Sequence, residues 1–169
     1  MAIVVMGVSG SGKSTLGALL AQTLGCAFLE GDDFHDAVAV AMMRGGEPLT
    51  DAERWPWLDR IGAALAREVS TRGLAVAACS ALRRAYRERL AAAAGAPIRF
   101  VLLDNDPDEL LRRLNNRPGH YMPPGLLASQ LATLERPDAD EPAVALDSHD
   151  TPAELRDETL AWLAQPVLS

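Results

Sequence analysis

Residues 7–14 read Gly-Val-Ser-Gly-Ser-Gly-Lys-Ser, which is the complete G-x-x-x-x-G-K-S pattern of a phosphate-binding loop, or P-loop. An apolar, β-branched run at residues 2–6 precedes the loop, and leucines at helical spacing follow it as far as Gly25, a typical helix cap. This order of strand, loop and helix aims backbone N–H groups and a positive helix N-terminus at a phosphate. The stretch therefore predicts a nucleotide site rather than a glycine turn that merely joins a strand to a helix.

Lys13 is the only lysine of the chain, and every other basic side chain apart from histidine is Arg. The retention of one lysine suggests that this position needs a compact ammonium on a flexible stem and not the planar guanidinium of arginine. We expect Lys13 to reach the β- and γ-phosphates and the Ser14 hydroxyl to be a ligand of Mg²⁺. The predicted nucleotide-binding residues are Gly7, Val8, Ser9, Gly10, Ser11, Gly12, Lys13, Ser14 and Thr15.

Composition narrows the class of protein. With 169 residues, 49% of them hydrophobic, the chain is expected to form one compact domain over residues 1–169. A net charge of −7 argues against nucleic acid or an anionic membrane as a partner. Cys26 and Cys79 lie in apolar stretches without C-x-x-C spacing, which predicts buried free thiols and a reducing cytoplasm. We see neither a signal segment nor an apolar run of membrane-spanning length, so we expect neither export nor membrane insertion.

Strand and helix patterns alternate along the chain. Helix starts are marked by the capping box of Thr50 with Glu53, by Asp106 before Pro107, and by Thr151 before Pro152. Apolar runs without alternation are typical of strands buried on both faces of a parallel sheet. The predicted strands are residues 2–6, 26–30, 75–79, 98–103 and 143–146. The pattern predicts an α/β fold with helices on both faces of the sheet.

Acidic residues follow the second predicted strand, where ligands collect in open α/β sheets. We assign Asp32 the role of accepting the proton of an attacking hydroxyl, and Glu30 an outer-sphere contact to Mg²⁺. Asp33 is interpreted as a turn or cap residue. The third strand ends without an acid, and the chain lacks the N-K-x-D sequence that reads guanine. A small-molecule phosphotransferase fits this arrangement better than an ATPase or a GTPase.

A mobile lid is predicted at residues 117–125, where a helix ends in a segment rich in proline and glycine. Arg113 and Arg117 lie one helical turn apart, so both can point at a migrating phosphoryl group, and we assign both to catalysis. For Arg113, an exposed ion pair with Glu109 is the alternative. Arg112 is expected to pair with Asp108.

Taken together, these residues resemble the gluconokinase family of P-loop sugar-acid kinases, relatives of shikimate and nucleoside monophosphate kinases. The resemblance implies ATP-dependent phosphorylation of D-gluconate to 6-phospho-D-gluconate, in gluconate degradation feeding the pentose phosphate route. It also implies Mg²⁺, a three-layer P-loop fold with strand order 2-3-1-4-5, and often a homodimer. The similar segments are MGVSGSGKS (6–14), LEGDDFH (29–35), GEPLTDAERWPWL (46–58), CSALRRAYRERL (79–90), RPGHY (117–121) and SQLATLERPDADE (129–141).

Site residues carry over from this resemblance one by one. Asp32 would face the sugar hydroxyl, and the implied substrate or lid contacts are His35, Arg54, Arg83, Tyr86, His120 and Gln130. An open-chain sugar acid offers one carboxylate for an arginine fork and several hydroxyls for His, Tyr and Gln. Structural roles remain the alternative for both histidines and for Tyr86. Trp55 and Trp57 are expected to anchor a helix start in the core, with stacking of one of them on a sugar face as the alternative, and His149 is interpreted as structural. The adenine pocket is implied at residues 147–151.

The chain departs from the family pattern after His35, where Asp36, Ala39 and Met42 replace the usual proline, asparagine and lysine. A basic residue is also more common at Asn115, and lysine at Arg83. These changes bear on the substrate more than on ATP. Two alternatives to gluconokinase therefore stay open: a kinase of the same fold acting on another small hydroxy acid or a nucleotide, and a nucleotide-binding regulator without turnover.

Overall fold

Strands and helices alternate in the computed structural model, which describes residues 1–115 and 124–166, without the side chains of 113–115 and 124. The strands are β1 (Ala2–Met6), β2 (Ala27–Glu30), β3 (Ala75–Ala78), β4 (Ile98–Asp104) and β5 (Ala143–Asp147). The helices are α1 (Lys13–Leu24), α2 (Ala37–Arg44), α3 (Asp51–Arg72), α4 (Arg84–Ala94), α5 (Pro107–Asn115), α6 (Pro124–Thr133) and α7 (Pro152–Leu163). A short 3₁₀ turn at Gly31–Phe34 follows β2.

All five strands are parallel and form one sheet in the order β2-β3-β1-β4-β5. The central strand β1 pairs with β3 from Ala2 opposite Ala75 and with β4 from Ala2 opposite Ile98. The predicted fold class and strand order are confirmed. Because the strands run in one direction, the P-loop after β1 and the acidic turn after β2 lie at the same edge of the sheet.

The helix boundaries follow the capping signals in the sequence. Gly25 ends α1 in the left-handed conformation, with φ of 68°, which glycine adopts without steric cost. Thr50 and Glu53 form the predicted capping box at the start of α3, and the Thr151 side chain accepts a hydrogen bond from the Glu154 backbone N–H at the start of α7. The structure therefore confirms the helix end predicted at Gly25 and the helix starts predicted at Thr50 and Thr151.

Two apolar layers enclose the sheet. On one face Val4 and Met6 of β1 pack with α3 and α4, and on the other Ile3 and Val5 pack with α1 and α7. All five residues of β1 are fully buried. The three layers confirm the predicted α/β sandwich, and burial from both sides holds the strand end that carries the P-loop in place.

The edge strands depart from the predicted burial on both faces. Each residue of β2 is only partly buried, and β5 exposes Ala145 and Asp147, because an edge strand has a neighbour on one side only. Cys26 lies just before β2 and is also partly exposed, whereas Cys79 is buried. Both thiols are free, and burial raises the pKa of Cys79 to about 12. Within the described ranges, no helix combines the length and the apolar character needed to cross a membrane.

A buried ion pair attaches the segment after α6 to α4. The Arg87 guanidinium donates to both carboxylate oxygens of Glu141 at 2.7 and 3.0 Å, and the two side chains are 2% and 7% exposed. Arg87 also donates to the Ala81 carbonyl at 3.0 Å. The exposed Arg84 binds Asp138 and Asp140 of the same segment. The segment is therefore fastened at one buried and one exposed arginine.

Replacing Arg87 with Met is expected to lower the free energy of unfolding by about 3 kcal/mol, because Glu141 is left as an unpaired buried carboxylate. Denaturation in urea measures the change. The matched control is Arg84→Met, which should leave the unfolding midpoint almost unchanged because the Arg84 ion pairs face solvent. The double variant Arg87→Met with Glu141→Leu should regain most of the lost stability. Equal losses in the Arg84 and Arg87 variants would contradict this interpretation.

Candidate functional site

The P-loop has a backbone that only glycine adopts easily. Gly7 has a φ of 145°, and a Cβ atom there would lie 3.0 Å from Ser11 Oγ and 3.1 Å from the Leu103 carbonyl oxygen. Gly10 and Gly12 also have positive φ. Ser11 Oγ is buried without a hydrogen-bond partner among the described residues. A tight loop with an unsatisfied buried hydroxyl fits a phosphate ligand.

Lys13 and Ser14 start α1 directly behind this loop. Lys13 Nζ donates to the Val8 carbonyl oxygen at 3.0 Å, so the ammonium is folded back over the loop. The Ser14 hydroxyl donates to the Glu30 carboxylate at the end of β2. No cluster of three or more His, Cys, Asp and Glu residues in the described chain could hold a metal. Mg²⁺ takes few protein ligands and completes its shell with phosphate oxygens and water, so the Ser14 hydroxyl and the Glu30 carboxylate are the groups here that could hold it.

Asp32 is placed by a close backbone contact. Gly31 follows β2 so near the Ala78 carbonyl of β3 that a Cβ atom at this position would clash with it. The chain therefore turns at Gly31 into the 3₁₀ turn and directs Asp32 toward the cleft beside the P-loop. Asp33 is exposed and does not line that cleft, in agreement with its interpretation as a turn residue.

One cleft collects most of the predicted site. It encloses ≈ 650 Å³ of empty space, part of it open to solvent. The predicted site residues that line it are Lys13, Asp32, His35, Arg54, Tyr86 and Gln130, together with Ser9 of the P-loop. Arg83 does not line the cleft; it is about half exposed and lies 3.8 Å from the Asp51 carboxylate. The Arg113 side chain, Arg117, His120 and residues 117–123 of the predicted lid lie outside the described residues, and 124–125 begin α6.

His35 contributes a neutral ring to the cleft. Its imidazole stacks on Trp57 with centroids 4.2 Å apart, and Trp57 Nε1 donates to the Gly31 carbonyl at 2.8 Å. Burial lowers the pKa of His35 to about 4, although the charge of Asp32 acts in the opposite direction. Nδ1 of His35 is buried and has no hydrogen-bond partner among the described residues. An uncharged imidazole suits a hydroxyl group better than a carboxylate.

Arg54 is held by a hydrogen-bonded chain. Its Nη1 donates to the Tyr86 hydroxyl oxygen at 2.6 Å, and the Tyr86 hydroxyl donates to the Asp51 carboxylate. Tyr86 is buried, and the single proton of its hydroxyl is already used in the hydrogen bond to Asp51. Tyr86 thus lines the cleft and also fixes the direction of the Arg54 guanidinium. Asp51, which orients both, was not among the predicted site residues.

The remaining wall of the cleft is apolar. It is lined by Met43 of α2, by Leu49, which precedes α3, and by Leu126 of α6. These three side chains pack in one cluster with the buried Ala39. The position of Ala39, where the family pattern has asparagine, therefore belongs to an apolar wall in this chain. Trp57, which was expected to anchor a helix start in the core with sugar stacking as the alternative, is buried in the core and also lines the cleft. The other cleft residues that the sequence did not indicate are Pro48, Ser80, Leu82 and Ser129.

A second region of open space adjoins the P-loop at Val8. It is lined by Val8, by Asn105 after β4, and by Arg136 after α6. It continues in a neighbouring cavity that reaches His149 after β5. Arg136 forms two hydrogen bonds to the Asp104 carboxylate, at 2.5 and 2.8 Å.

His149 joins two elements at the rim of that space. Its Nε2 lies 2.7 Å from the Glu109 carboxylate of α5, and its Nδ1 lies 2.9 Å from Asp147. These contacts raise the pKa of His149, mainly through the hydrogen bond with Asp147. They fit the structural interpretation of His149. Glu109, which the sequence offered as an ion-pair partner of Arg113, contacts His149 in the structure.

Known proteins are similar to this chain in sequence and in fold. Residues 3–137 match a family model described as an AAA domain. The chain is 46% identical to a gluconokinase of Gluconobacter oxydans (strain 621H), over 94% of this chain and 88% of that protein. A gluconokinase from Sinorhizobium meliloti 1021 has a similar structure, with a TM-score of 0.85, 45% identity and coverage of 96% and 91%. A sugar kinase from Janibacter sp. HTCC2649 has a TM-score of 0.89, with 40% identity and coverage of 96% and 93%. The chain belongs to the gluconokinase family of P-loop kinases.

Proposed function

We propose that the protein transfers the γ-phosphoryl group of ATP to the 6-hydroxyl of D-gluconate and forms 6-phospho-D-gluconate. The observation that carries this proposal is the single cleft that brings Lys13 of the P-loop together with Asp32 and Arg54. The relatives named gluconokinase support the same substrate pair. A cation for phosphate, a carboxylate for a hydroxyl and a guanidinium for a carboxylate are the three groups that this reaction requires.

The two spaces beside the P-loop offer separate places for the sugar acid and for the base of the nucleotide. Ser9 and Lys13 face the cleft with Asp32, whereas Val8 faces the space with Asn105 and Arg136. A nucleotide with its phosphates in the loop would extend its base into the second space. The sugar acid would then occupy the first cleft, where its terminal hydroxyl can approach the γ-phosphate.

Within the cleft the sugar acid has one favoured direction. Arg54 lines the cleft, is held by Tyr86, and offers a fork for the carboxylate at C1. Asp32 and Lys13 line the part of the cleft beside the phosphates, where the hydroxyl that is phosphorylated must lie. In an open six-carbon chain these two groups stand at opposite ends, so binding the carboxylate at Arg54 presents the 6-hydroxyl to Asp32. The neutral His35 would meet hydroxyls between them.

The chemistry assigned to the residues is a direct displacement. Asp32 accepts the proton as the 6-hydroxyl oxygen bonds to the γ-phosphorus, and the bond from that phosphorus to the β–γ bridging oxygen breaks. Lys13 and the P-loop N–H groups stabilise the charge that develops on the leaving ADP. Mg²⁺, when bound near Ser14 and Glu30, supplies further neutralisation of phosphate charge. Arg113 and Arg117 remain predictions for the transferred group.

Several broader predictions belong to the proposal. We propose one kinase domain over residues 1–169 with a lid at about 117–125, and a cytoplasmic location that suits an ATP-consuming enzyme with the free thiols Cys26 and Cys79. Nucleic acid and membranes are not expected partners of a chain with a net charge of −7. The homodimer rests on the family resemblance alone.

A coupled assay of ADP release across D-gluconate, D-sorbitol, shikimate and nucleoside monophosphates tests the proposed function. We expect kcat/KM to be highest for gluconate and about 10- to 100-fold lower for sorbitol, which has the hydroxyls but lacks the carboxylate that binds Arg54. Efficient turnover of shikimate or a nucleotide in place of gluconate would indicate the kinase of another substrate. Tight ATP binding without ADP release on any acceptor would indicate the regulator.

A further inference from the structure

The side chain of Gln130 contacts the backbone of the P-loop rather than only the space where a sugar would bind. Gln130 lies on α6, and its Oε1 accepts a hydrogen bond from the Ser9 N–H at 2.6 Å, although the two residues are 121 positions apart. An N–H donor requires the oxygen of the side-chain amide, not its NH₂ group, so the orientation of this amide is defined. We propose that Gln130 is a positioning residue that sets the conformation of the P-loop for phosphate binding.

The P-loop offers few other acceptors for this N–H group. The Val8 carbonyl oxygen belongs to the same peptide group as this N–H and cannot accept from it; it accepts from Ser11 N at 3.3 Å and from Lys13 Nζ at 3.0 Å. The Ser80 carbonyl oxygen already accepts from the Gly7 N–H. Ser9 is buried, with 6% of its surface exposed. Without Gln130 its N–H would be buried and unsatisfied, which favours a different path of the loop between Gly7 and Gly10.

The helix that carries Gln130 is itself fixed on both sides of this bond. Val8 packs against Leu127 of α6 in one apolar cluster, and Leu131 packs against the same cluster. Past the end of α6, the Glu135 N–H donates to the Leu82 carbonyl at 2.7 Å, and the Glu135 side chain accepts from the Arg84 N–H at 3.0 Å. Helix α6 is therefore held beside the P-loop by packing and hydrogen bonds, and Gln130 links it to the loop at the residue next to Val8.

The consequence concerns phosphate affinity. The loop N–H groups bind phosphate only when they point at one centre, and Gly7, Gly10 and Gly12 leave the loop free to adopt other conformations. A fixed Ser9 removes part of that freedom before the ligand arrives. The family resemblance implies that Gln130 contacts the substrate. The observed bond instead assigns its oxygen to the loop, so its loss should weaken phosphate binding in the absence of any sugar.

The test is calorimetric binding of ADP, and of inorganic tripolyphosphate, to the full chain without a sugar acid. Gln130→Met keeps the length of the side chain and removes the acceptor. We expect both ligands to bind about tenfold more weakly to this variant, and the KM for gluconate to change less than about threefold. The matched control is Thr133→Ala, one turn along α6, which removes only a bond to the Ser129 carbonyl of the same helix. It should leave both affinities unchanged.

Unchanged affinities for both ligands in Gln130→Met would overturn the proposal, and a rise in the gluconate KM alone would assign Gln130 to the sugar. A measurement on the wild type keeps the proposal testable should the variant fold poorly. Amide hydrogen exchange in the nucleotide-free protein should show a protected Ser9 N–H, and rapid exchange would contradict the bond to Gln130. The inference rests on phosphate binding from the proposed function. The calorimetric and hydrogen-exchange measurements contain no sugar, so they test the inference independently of gluconate as the acceptor.

Discussion

Replacing Lys13 with Ala is expected to lower kcat by about 100- to 1000-fold and to change the KM for gluconate by less than about threefold. Lys13 Nζ donates to the Val8 carbonyl oxygen at 3.0 Å, and Lys13 lines the same cleft as Asp32. When the terminal phosphoryl group leaves, negative charge grows on the β–γ bridging oxygen, and the attraction between this oxygen and the Lys13 ammonium is then strongest. Its contribution therefore appears in the transition state more than in sugar binding.

Steady-state kinetics with both substrates varied separately measures this effect. Arg67→Ala on the exposed surface of α3 serves as the control for removing one positive charge and should leave kcat unchanged. Lys13→Arg should not restore full activity, because a planar guanidinium does not replace a compact ammonium inside a tight loop. A variant at Lys13 that loses only gluconate affinity would show that the residue binds the sugar instead.

The sequence predicted those parts of the site that depend on neighbours along the chain. Gly7 to Ser14 define the loop by their own spacing, and the flanking strand and helix are encoded next to them, so the position of the loop between β1 and α1 could be predicted from the sequence. Asp32 could be placed beside it because parallel strands end at one edge of the sheet. In both cases a local pattern combined with one rule of topology was sufficient.

Contacts between distant elements could not be predicted in the same way. Nothing near Gln130 indicates that its amide meets Ser9, because that bond depends on how α6 packs against Val8. The chain of Arg54, Tyr86 and Asp51 likewise joins the start of α3 to α4 through side-chain geometry. The burial that lowers the pKa of His35 to about 4 also comes from packing, with the ring stacked on Trp57. These features are properties of the assembled cleft, and residue types alone do not define them.

The difference between edge and central strands has a similar origin. Residues 26–30 and 75–79 both read as apolar runs, yet β3 is buried throughout and β2 is only partly buried. The sequence of a strand does not state how many neighbours it has in the sheet. The partial exposure of β2 nevertheless bears on the candidate site, because Glu30 at the end of this strand accepts the hydrogen bond from Ser14.

Replacing Asp32 with Asn is expected to lower kcat by about 100- to 10,000-fold while ADP still binds with nearly wild-type affinity. An amide keeps the size of the side chain but does not accept the proton of the 6-hydroxyl. The P-loop contacts of Gly7, Ser9 and Lys13 do not involve Asp32, so the nucleotide site stays intact. Coupled kinetics gives kcat, and calorimetry without gluconate gives the ADP affinity.

Asp33→Asn is the matched control, since Asp33 lies in the same 3₁₀ turn, is exposed, and does not line the cleft. It makes the same chemical change one residue away and should leave kcat within about twofold, as expected of a surface substitution. Loss of activity in the Asp33 variant but not in the Asp32 variant would mean that the other carboxylate of the turn accepts the proton. Activity near wild type in both would remove this turn from proton transfer, because the described part of the cleft has no other carboxylate beside Lys13.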